Sequence, residues 1–240
     1  MKNTGILRIQ AFGARQSSPI EGVLVTVSGN GFTAQRITDE TGTAADLSIE
    51  APSCALSLQE DNTIRPYAVV DLTAAKTGFR TVRIQGVQIF AGQVTLAQPE
   101  MIPKTEEDRD VVNPPIVIPE HSLFTGDGGS GPDPMENCMP RVLSRVIIPK
   151  NITVHLGKPA ASARNVTVSF RDYIANVASS EVYPTWPEQA LRANIHCQIS
   201  LALNRIYTEW YPSKGYTFNI TNSTSYDQYY VHGRTVFDAM

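Results

Sequence analysis

The chain has 240 residues, of which 42% are hydrophobic and 18% are charged. That length fits one large domain or two small ones, and the apolar share is enough for a packed core, so a generally disordered chain is excluded. The 20 basic and 23 acidic side chains give a formal charge of −3, which excludes the strongly basic surface of a nucleic-acid-binding protein. No run approaches the roughly 20 uncharged apolar residues of a membrane helix.

The first eight residues, M-K-N-T-G-I-L-R, do not have the pattern of an export signal. They lack a long apolar stretch and a small-residue cleavage site. We therefore expect synthesis in the cytosol. The three cysteines, Cys54, Cys138 and Cys197, lie too far apart for a CxxC-type metal site, so no bound metal is predicted.

Residues 4–100 have the pattern of successive short strands. Valine recurs at every second position from 23 to 27, and turn sequences follow at 29–31 and 39–42. Further strands are predicted at 67–72, 79–85 and 87–96. A turn every 8 to 12 residues or so is typical of an antiparallel sandwich. We therefore predict an all-β sandwich domain over residues 1–100.

Two stretches of this region carry a family resemblance. The sequence P-I-E-G-V-L-V-T-V at 19–27, followed by T-D-E-T-G at 38–42, resembles the carboxypeptidase regulatory-like domain, which is a transthyretin-like sandwich. Such domains are common accessory modules. The resemblance implies a docking role with protein partners for the N-terminal sandwich.

Residues 101–140 are predicted to be a linker rich in proline and glycine. The segment 101–137 is acidic, with 2 basic and 8 acidic side chains. Its many prolines and glycines cannot sustain a helix or a central strand. Residues 116–118, I-V-I, are the exception and could form a short edge strand.

A glycine string inside this linker matches the spacing of a dinucleotide-binding site. Residues 126–131 read G-D-G-G-S-G, but P-D-P follows directly. The dinucleotide motif requires a helix at that point, which presents its N-terminal end to the pyrophosphate. We therefore predict a flexible hinge, and no cofactor.

Residues 141–240 are predicted to be an α+β domain. Residues 141–148 and 152–156 have strand patterns, whereas Phe170, Tyr173, Ile174 and Val177 recur at the spacing of one helix face. Ser169 is the expected cap of that helix. The fold class is thus an all-β sandwich followed by an α+β domain, with the linker between them.

A second helix is expected to begin near Thr185. The Thr185 hydroxyl and the Glu188 carboxylate have the spacing of a capping box, and Pro187 in the first turn costs no hydrogen bond. The apolar pattern continues to about Trp210, and Pro212 should end the helix.

Among the residues that could act as an acid, a base or a nucleophile, one catalytic candidate remains. The four histidines are scattered, there is no G-x-S-x-G sequence, and Cys197 lies within a predicted helix. Glu181 lies at the junction of the two helices among apolar neighbours. Partial burial there would raise its pKa and keep it protonated as a general acid. The alternative is a solvated loop glutamate.

Two sequence blocks resemble the stage II sporulation protein D (SpoIID/LytB) family. Residues 177–193, V-A-S-S-E-V-Y-P-T-W-P-E-Q-A-L-R-A, resemble its signature V-x-x-E-M-P-x-x-W-P-x-E-A-L-K-A. Residues 220–224, I-T-N-S-T, with Gln228, Tyr230 and Gly233, resemble its second block, which ends in Q-x-Y-x-G. The resemblance covers roughly residues 141–240.

This resemblance implies a bacterial lytic transglycosylase that cuts peptidoglycan glycan strands lacking stem peptides. Glu181 matches the catalytic acid/base of the family. Tyr183, Trp186, Gln228 and Tyr230 are the implied substrate-binding residues. One carboxyl group suffices because the sugar's own C6 hydroxyl attacks and gives a 1,6-anhydro product. The implied destination is the spore or cell envelope.

Some positions depart from the family pattern. Gln189 stands where the family has a second glutamate, and Ile199 where it has an arginine. Family domains also continue beyond the second block, which implies either a fragment or an incomplete groove. Two alternatives therefore stay open: a non-catalytic cell-wall or spore-envelope binding protein, and a structural assembly protein.

Overall fold

The computed structural model describes residues 3–13, 18–59, 62–105, 113–125 and 147–240. The chain divides into two compact units. Unit 1 consists of Met1–Glu120, Pro184–Trp186 and Gly233–Met240, and unit 2 consists of His121–Tyr183 and Pro187–His232.

Unit 1 is built from two mixed β-sheets. Its strands are β1 (Thr4–Gln10), β2 (Leu24–Gly29), β3 (Phe32–Ile37), β4 (Thr43–Glu50), β5 (Ala68–Ala75), β6 (Val82–Ile89), β7 (Val94–Ala97), β8 (Ile116–Val117) and β12 (Val236–Phe237). The strand orders are β12-β7-β1-β4 and β3-β2-β5-β6-β8. A short 3-10 helix, Cys54–Leu58, follows β4.

The two sheets share one hydrophobic core. Alternate residues of β1 and β2, such as Leu7, Ile9, Val25 and Val27, are buried in it, as the two-residue period of a strand dictates. Met101, which follows β7, is buried in the same core. Unit 1 is therefore a β-rich sandwich.

The predicted turns lie between the predicted strands. Asn30 and Gly31 have positive φ angles of 52° and 69°, the geometry of a tight hairpin turn, and they join β2 to β3. Asp39 accepts hydrogen bonds from the backbone N–H groups of Thr41 and Thr43 in the turn before β4. Both turn predictions are confirmed.

The strands after residue 79 differ from the prediction. The structure has β6 at Val82–Ile89 and β7 at Val94–Ala97, in place of strands at 79–85 and 87–96. Gly86 does not end a strand, because it adopts a φ of 82° at the register shift between β5 and β6. Such an irregularity lets the strand continue past an extra residue. The chain turns instead before β7, where Gly92 has a φ of 74°.

The predicted linker is described only in part. Residues 106–112 and 126–140, which include the glycine string and Cys138, lie outside the described residues, as does 141–146 of a predicted strand. Within the described part, β8 pairs in parallel with β6 at the edge of its sheet, which confirms the predicted edge strand.

Unit 2 is an α+β unit. Its sheet has the order β10-β9-β11, formed by β9 (Asn151–His155), β10 (Asn165–Ser169) and β11 (Ile220–Thr221). Its helices are α1 (Ser122–Thr125), α2 (Phe170–Glu181) and α3 (Glu188–Tyr207), and a 3-10 turn spans Pro212–Lys214. The residues that form β10 were not predicted to be a strand.

The two long helices test the capping predictions. The Ser169 side chain accepts a hydrogen bond from the Asp172 N–H at 3.0 Å, so the predicted cap of α2 is confirmed. The capping box predicted for α3 is wrong, because that helix begins at Glu188 after Pro187, without a side-chain cap. The Thr185 hydroxyl is instead 2.6 Å from the Ser57 hydroxyl.

Candidate active site

Glu181 is the last residue of α2, and its local sequence explains its environment. The helix buries the face that carries Tyr173, Val177 and Ser180. Glu181 follows at the end of this helix, and its side chain points towards the interior of unit 2. A carboxylate at a helix C-terminus also lies near the unpaired backbone carbonyls, which disfavours a negative charge.

Two hydrogen bonds fix the Glu181 carboxyl group. Its Oε1 accepts a hydrogen bond from the Tyr229 backbone N–H at 2.9 Å, and its Oε2 accepts one from Gln198 Nε2 at 2.9 Å. Burial raises the pKa of Glu181 above its ordinary value, and the two hydrogen bonds offset part of that rise. Glu181 therefore keeps its proton to a higher pH than an exposed glutamate does.

The segment 228–231 is held against α2 by several further contacts. The Asn176 side chain donates to the Val231 carbonyl at 2.8 Å and accepts from the Val231 N–H at 2.9 Å. The Tyr173 hydroxyl donates to Gln228 Oε1 at 3.0 Å. These contacts place the Tyr229 N–H beside Glu181. The two sequence blocks at 177–193 and 220–233 therefore meet at this carboxyl group.

Three of the four predicted substrate-binding side chains are nearly buried. Tyr183, Gln228 and Tyr230 are 7%, 3% and 4% exposed. The Tyr230 ring stacks on Tyr173 with centroids 5.6 Å apart, and burial raises the pKa of Tyr230 to about 12. The Tyr183 ring lies 4.5 Å from the His121 ring.

Trp186, the fourth predicted substrate-binding residue, belongs to unit 1. Its indole N–H donates to the Ser57 carbonyl at 3.1 Å. The structure therefore brings Glu181 together with the segment that carries Gln228 and Tyr230, within unit 2, and assigns Trp186 to the other unit.

The sequence reasoning missed three buried polar residues of unit 2. Gln198 contacts Glu181, and Arg205 forms a buried ion pair with Asp227 at 2.7 Å. Asp227 also accepts hydrogen bonds from the Tyr211 hydroxyl and from Thr221. Gln198 lies four residues before the apolar Ala202, and Arg205 lies three residues after it. Residues three or four apart share one helix face, so this spacing was the available signal that both side chains lie on the apolar face of α3.

The described ranges contain neither a candidate metal cluster nor a candidate membrane helix. Between residues 3 and 240, outside the undescribed gaps, no group of three or more His, Cys, Asp or Glu residues is placed to hold a metal ion. In the same part of the chain, no helix combines the length and apolar character needed to cross a bilayer.

Comparisons with known proteins find similar structures but no related sequence. No family model matches the chain, and no curated protein matches it. The Bacillus anthracis TIE protein is similar at 13% identity and a TM-score of 0.30, over 42% of this chain and 17% of that one. Klebsiella pneumoniae 5-hydroxyisourate hydrolase is similar at 22% identity and a TM-score of 0.28, over 42% of this chain and 92% of that one. Catechol 1,2-dioxygenase from Acinetobacter sp. ADP1 is similar at 14% identity and a TM-score of 0.31, over 49% of this chain and 59% of that one. The chain thus spans less than two thirds of the first and third. These TM-scores are too low to assign a family or an activity.

Proposed function

We propose that the protein is a lytic transglycosylase of the SpoIID/LytB type that acts on peptidoglycan glycan strands, with Glu181 as its acid/base. One observation carries the proposal. The glutamate of the first sequence block accepts a 2.9 Å hydrogen bond from the backbone of the second block. Two stretches selected by sequence pattern alone thus converge on one carboxyl group with a raised pKa.

The proposed reaction needs one carboxyl group in two protonation states. Protonated Glu181 donates its proton to the glycosidic oxygen as the bond to the anomeric carbon breaks. The C6 hydroxyl of the same sugar attacks that carbon, and its proton returns to the Glu181 carboxylate. The products are a free hydroxyl end and a 1,6-anhydro end. No water is consumed, so no second carboxylate is required to activate one.

The burial of the predicted substrate-binding residues refines their roles. Gln228 and Tyr230 are proposed to act by holding the Tyr229 N–H against Glu181, since both pack beside or bond to Tyr173. Trp186 is only partly buried and stays a predicted sugar-stacking residue.

The direct test is incubation with purified glycan strands that lack stem peptides. We expect fragments with 1,6-anhydro ends, detected by mass spectrometry, from the natural protein. We expect loss of at least about 100-fold in rate from Glu181→Gln, the effect typical of a general acid. Equal product from that variant would remove Glu181 from the mechanism, and absence of product from the natural protein would reject the activity.

The near-complete burial of Tyr183, Gln228 and Tyr230 favours a second candidate. In that alternative the protein binds the cell wall or spore envelope, or helps to assemble it, without turnover. Unit 1 would then dock protein partners. Retention on immobilised glycan strands without any anhydro product would indicate a binding protein. A large self-assembly without glycan affinity would indicate an assembly protein.

A further inference from the structure

Gln198 lies on the buried face of α3 and contacts the proposed acid/base directly. Its side chain is 3% exposed. Its Nε2 donates to Glu181 Oε2 at 2.9 Å and to Asn194 Oδ1 at 3.0 Å. Both protons of the amide nitrogen are therefore used, one of them on the carboxyl group.

The oxygen atom of this amide is the second feature of the contact. Gln198 Oε1 is buried and accepts no hydrogen bond from the described residues. A buried acceptor without a donor costs free energy. In the orientation observed, the amide presents its donors to Glu181 and Asn194.

The surroundings of Glu181 make this donor important. Among the described residues no basic side chain pairs with Glu181. Tyr173 on α2 is a titratable group close enough to feel the charge of Glu181, and it also feels those of Asp227, Tyr230 and Tyr211. On α3, the charge of Arg205 is paired with Asp227.

The donors to the carboxyl group are therefore the Tyr229 N–H and the Gln198 amide. The first belongs to the backbone, so among the residues that the structure describes Gln198 supplies the side-chain donor. A donor bonded to each oxygen also prevents the carboxyl group from rotating.

We propose that Gln198 is the positioning residue of Glu181, which fixes the plane of its carboxyl group and stabilises its ionised form. The catalytic meaning of this role rests on the proposed function. In that reaction the Glu181 carboxylate must persist until it takes up the C6 hydroxyl proton. The contact itself can be tested without a substrate.

The test is the titration of Glu181, followed by the NMR signal of its carboxyl carbon. The carboxyl-carbon signal that is missing from the spectrum of Glu181→Gln is the signal of Glu181. Gln198→Met keeps the length of the side chain and removes the donor, so the titration midpoint should rise by about one pH unit. Gln189→Met makes the same change at an exposed position of α3 and should leave the midpoint unchanged.

A second variant covers the case in which Gln198→Met does not fold. Asn194 is partly exposed, and Asn194→Ala removes the acceptor that orients the Gln198 amide. The midpoint should then rise by less than in Gln198→Met. Midpoints equal to that of the natural protein, in whichever of these variants fold, would overturn the proposal.

Activity provides the separate readout. In an active protein, kcat of Gln198→Met should fall about 10-fold, less than the roughly 100-fold or more that loss of the acid itself costs, with KM unchanged. Its pH profile should shift upward with the midpoint. An unshifted profile would overturn the catalytic role of Gln198. A shifted midpoint in a protein that makes no anhydro product would instead reject the proposed function and leave the contact established.

Discussion

A carboxyl group that ends a helix, with no basic partner among the described residues, holds its proton more tightly than an exposed one does. Glu181 is such a group, and its raised pKa makes a thermodynamic prediction. The folded protein binds this proton more tightly than the unfolded chain. The stabilisation is therefore complete below the ordinary pKa of glutamate and is lost as the pH rises through the higher, folded-state value.

Glu181→Gln should remove that pH dependence. We expect the free energy of unfolding of the natural protein to fall, relative to that of the variant, as the pH rises from 4 to 7. Urea unfolding at several pH values measures the difference. A difference that is constant with pH would contradict the assignment of the raised pKa.

The buried ion pair of unit 2 makes a second prediction at this scale. Asp227→Asn would leave the Arg205 guanidinium buried without a counter-charge, which costs about 3–5 kcal/mol of stability. The matched control is Glu188→Gln, which breaks an exposed pair with Arg192 and should cost about 0.5 kcal/mol or less. Urea unfolding distinguishes them, and equal losses would show that the buried pair is not important for stability.

The sequence singled out Glu181, Gln228 and Tyr230 but not the two groups that donate to the Glu181 carboxyl oxygens. Glu181 could be found because it follows a helical pattern and lies within a recognisable sequence block, residues 177–193. Gln198 lies 17 positions later and Tyr229 lies 48 positions later. Their approach depends on the packing of α3 and of the segment 228–231, which no local pattern determines.

At the scale of elements, the continuation of β6 past its irregularity depends on Gly86. A Cβ atom there would lie 2.2 Å from the Ile118 carbonyl oxygen. Gly78 has the same φ of 82° but open space around it. Comparing alanine at the two positions therefore separates the steric effect from the backbone strain.

Gly86→Ala should destabilise the protein by about 1–3 kcal/mol from backbone strain, and further because the chain beside β8 must move. Gly78→Ala should show the strain alone. Thermal unfolding of both variants gives the comparison. Equal losses would mean that the residues around Ile118 adjust without cost.

Local signals predicted some element boundaries and missed others. The start of α2 was predictable because its cap and its apolar face lie within a few residues of each other. The start of α3 was not, because the hydroxyl of Thr185 bonds to Ser57, which lies 128 positions earlier. β10 was missed although its sequence, N-V-T-V-S, alternates polar and apolar residues, because this alternation spans only five residues and leads directly into α2.

At the scale of the whole molecule, unit 1 takes in residues far apart in the sequence. Phe237 on β12 is 2% exposed, and its ring meets Phe90 edge-on with centroids 5.2 Å apart. Because β12 pairs with β7, this contact belongs to unit 1. A sequence pattern groups residues 233–240 with the residues that directly precede them. The predicted α+β domain, residues 141–240, therefore included them.

Phe237→Ala should therefore destabilise unit 1 rather than unit 2, by about 3–5 kcal/mol. Hydrogen exchange of the β7 amides should accelerate, while the amides of α2 keep their protection. Phe32→Ala, at a partly buried position of β3, should have a smaller effect. Faster exchange confined to α2 would contradict the assignment of β12 to unit 1.

The late position of β12 has a consequence for biosynthesis. A ribosome adds about 5–20 residues per second, so β12 emerges roughly 7–28 seconds after β7, with which it pairs. Until then the nascent sheet has an unpaired edge at β7, which is open to pairing with other growing chains. Slower translation or a crowded polysome should therefore promote aggregation of this protein before its synthesis is complete.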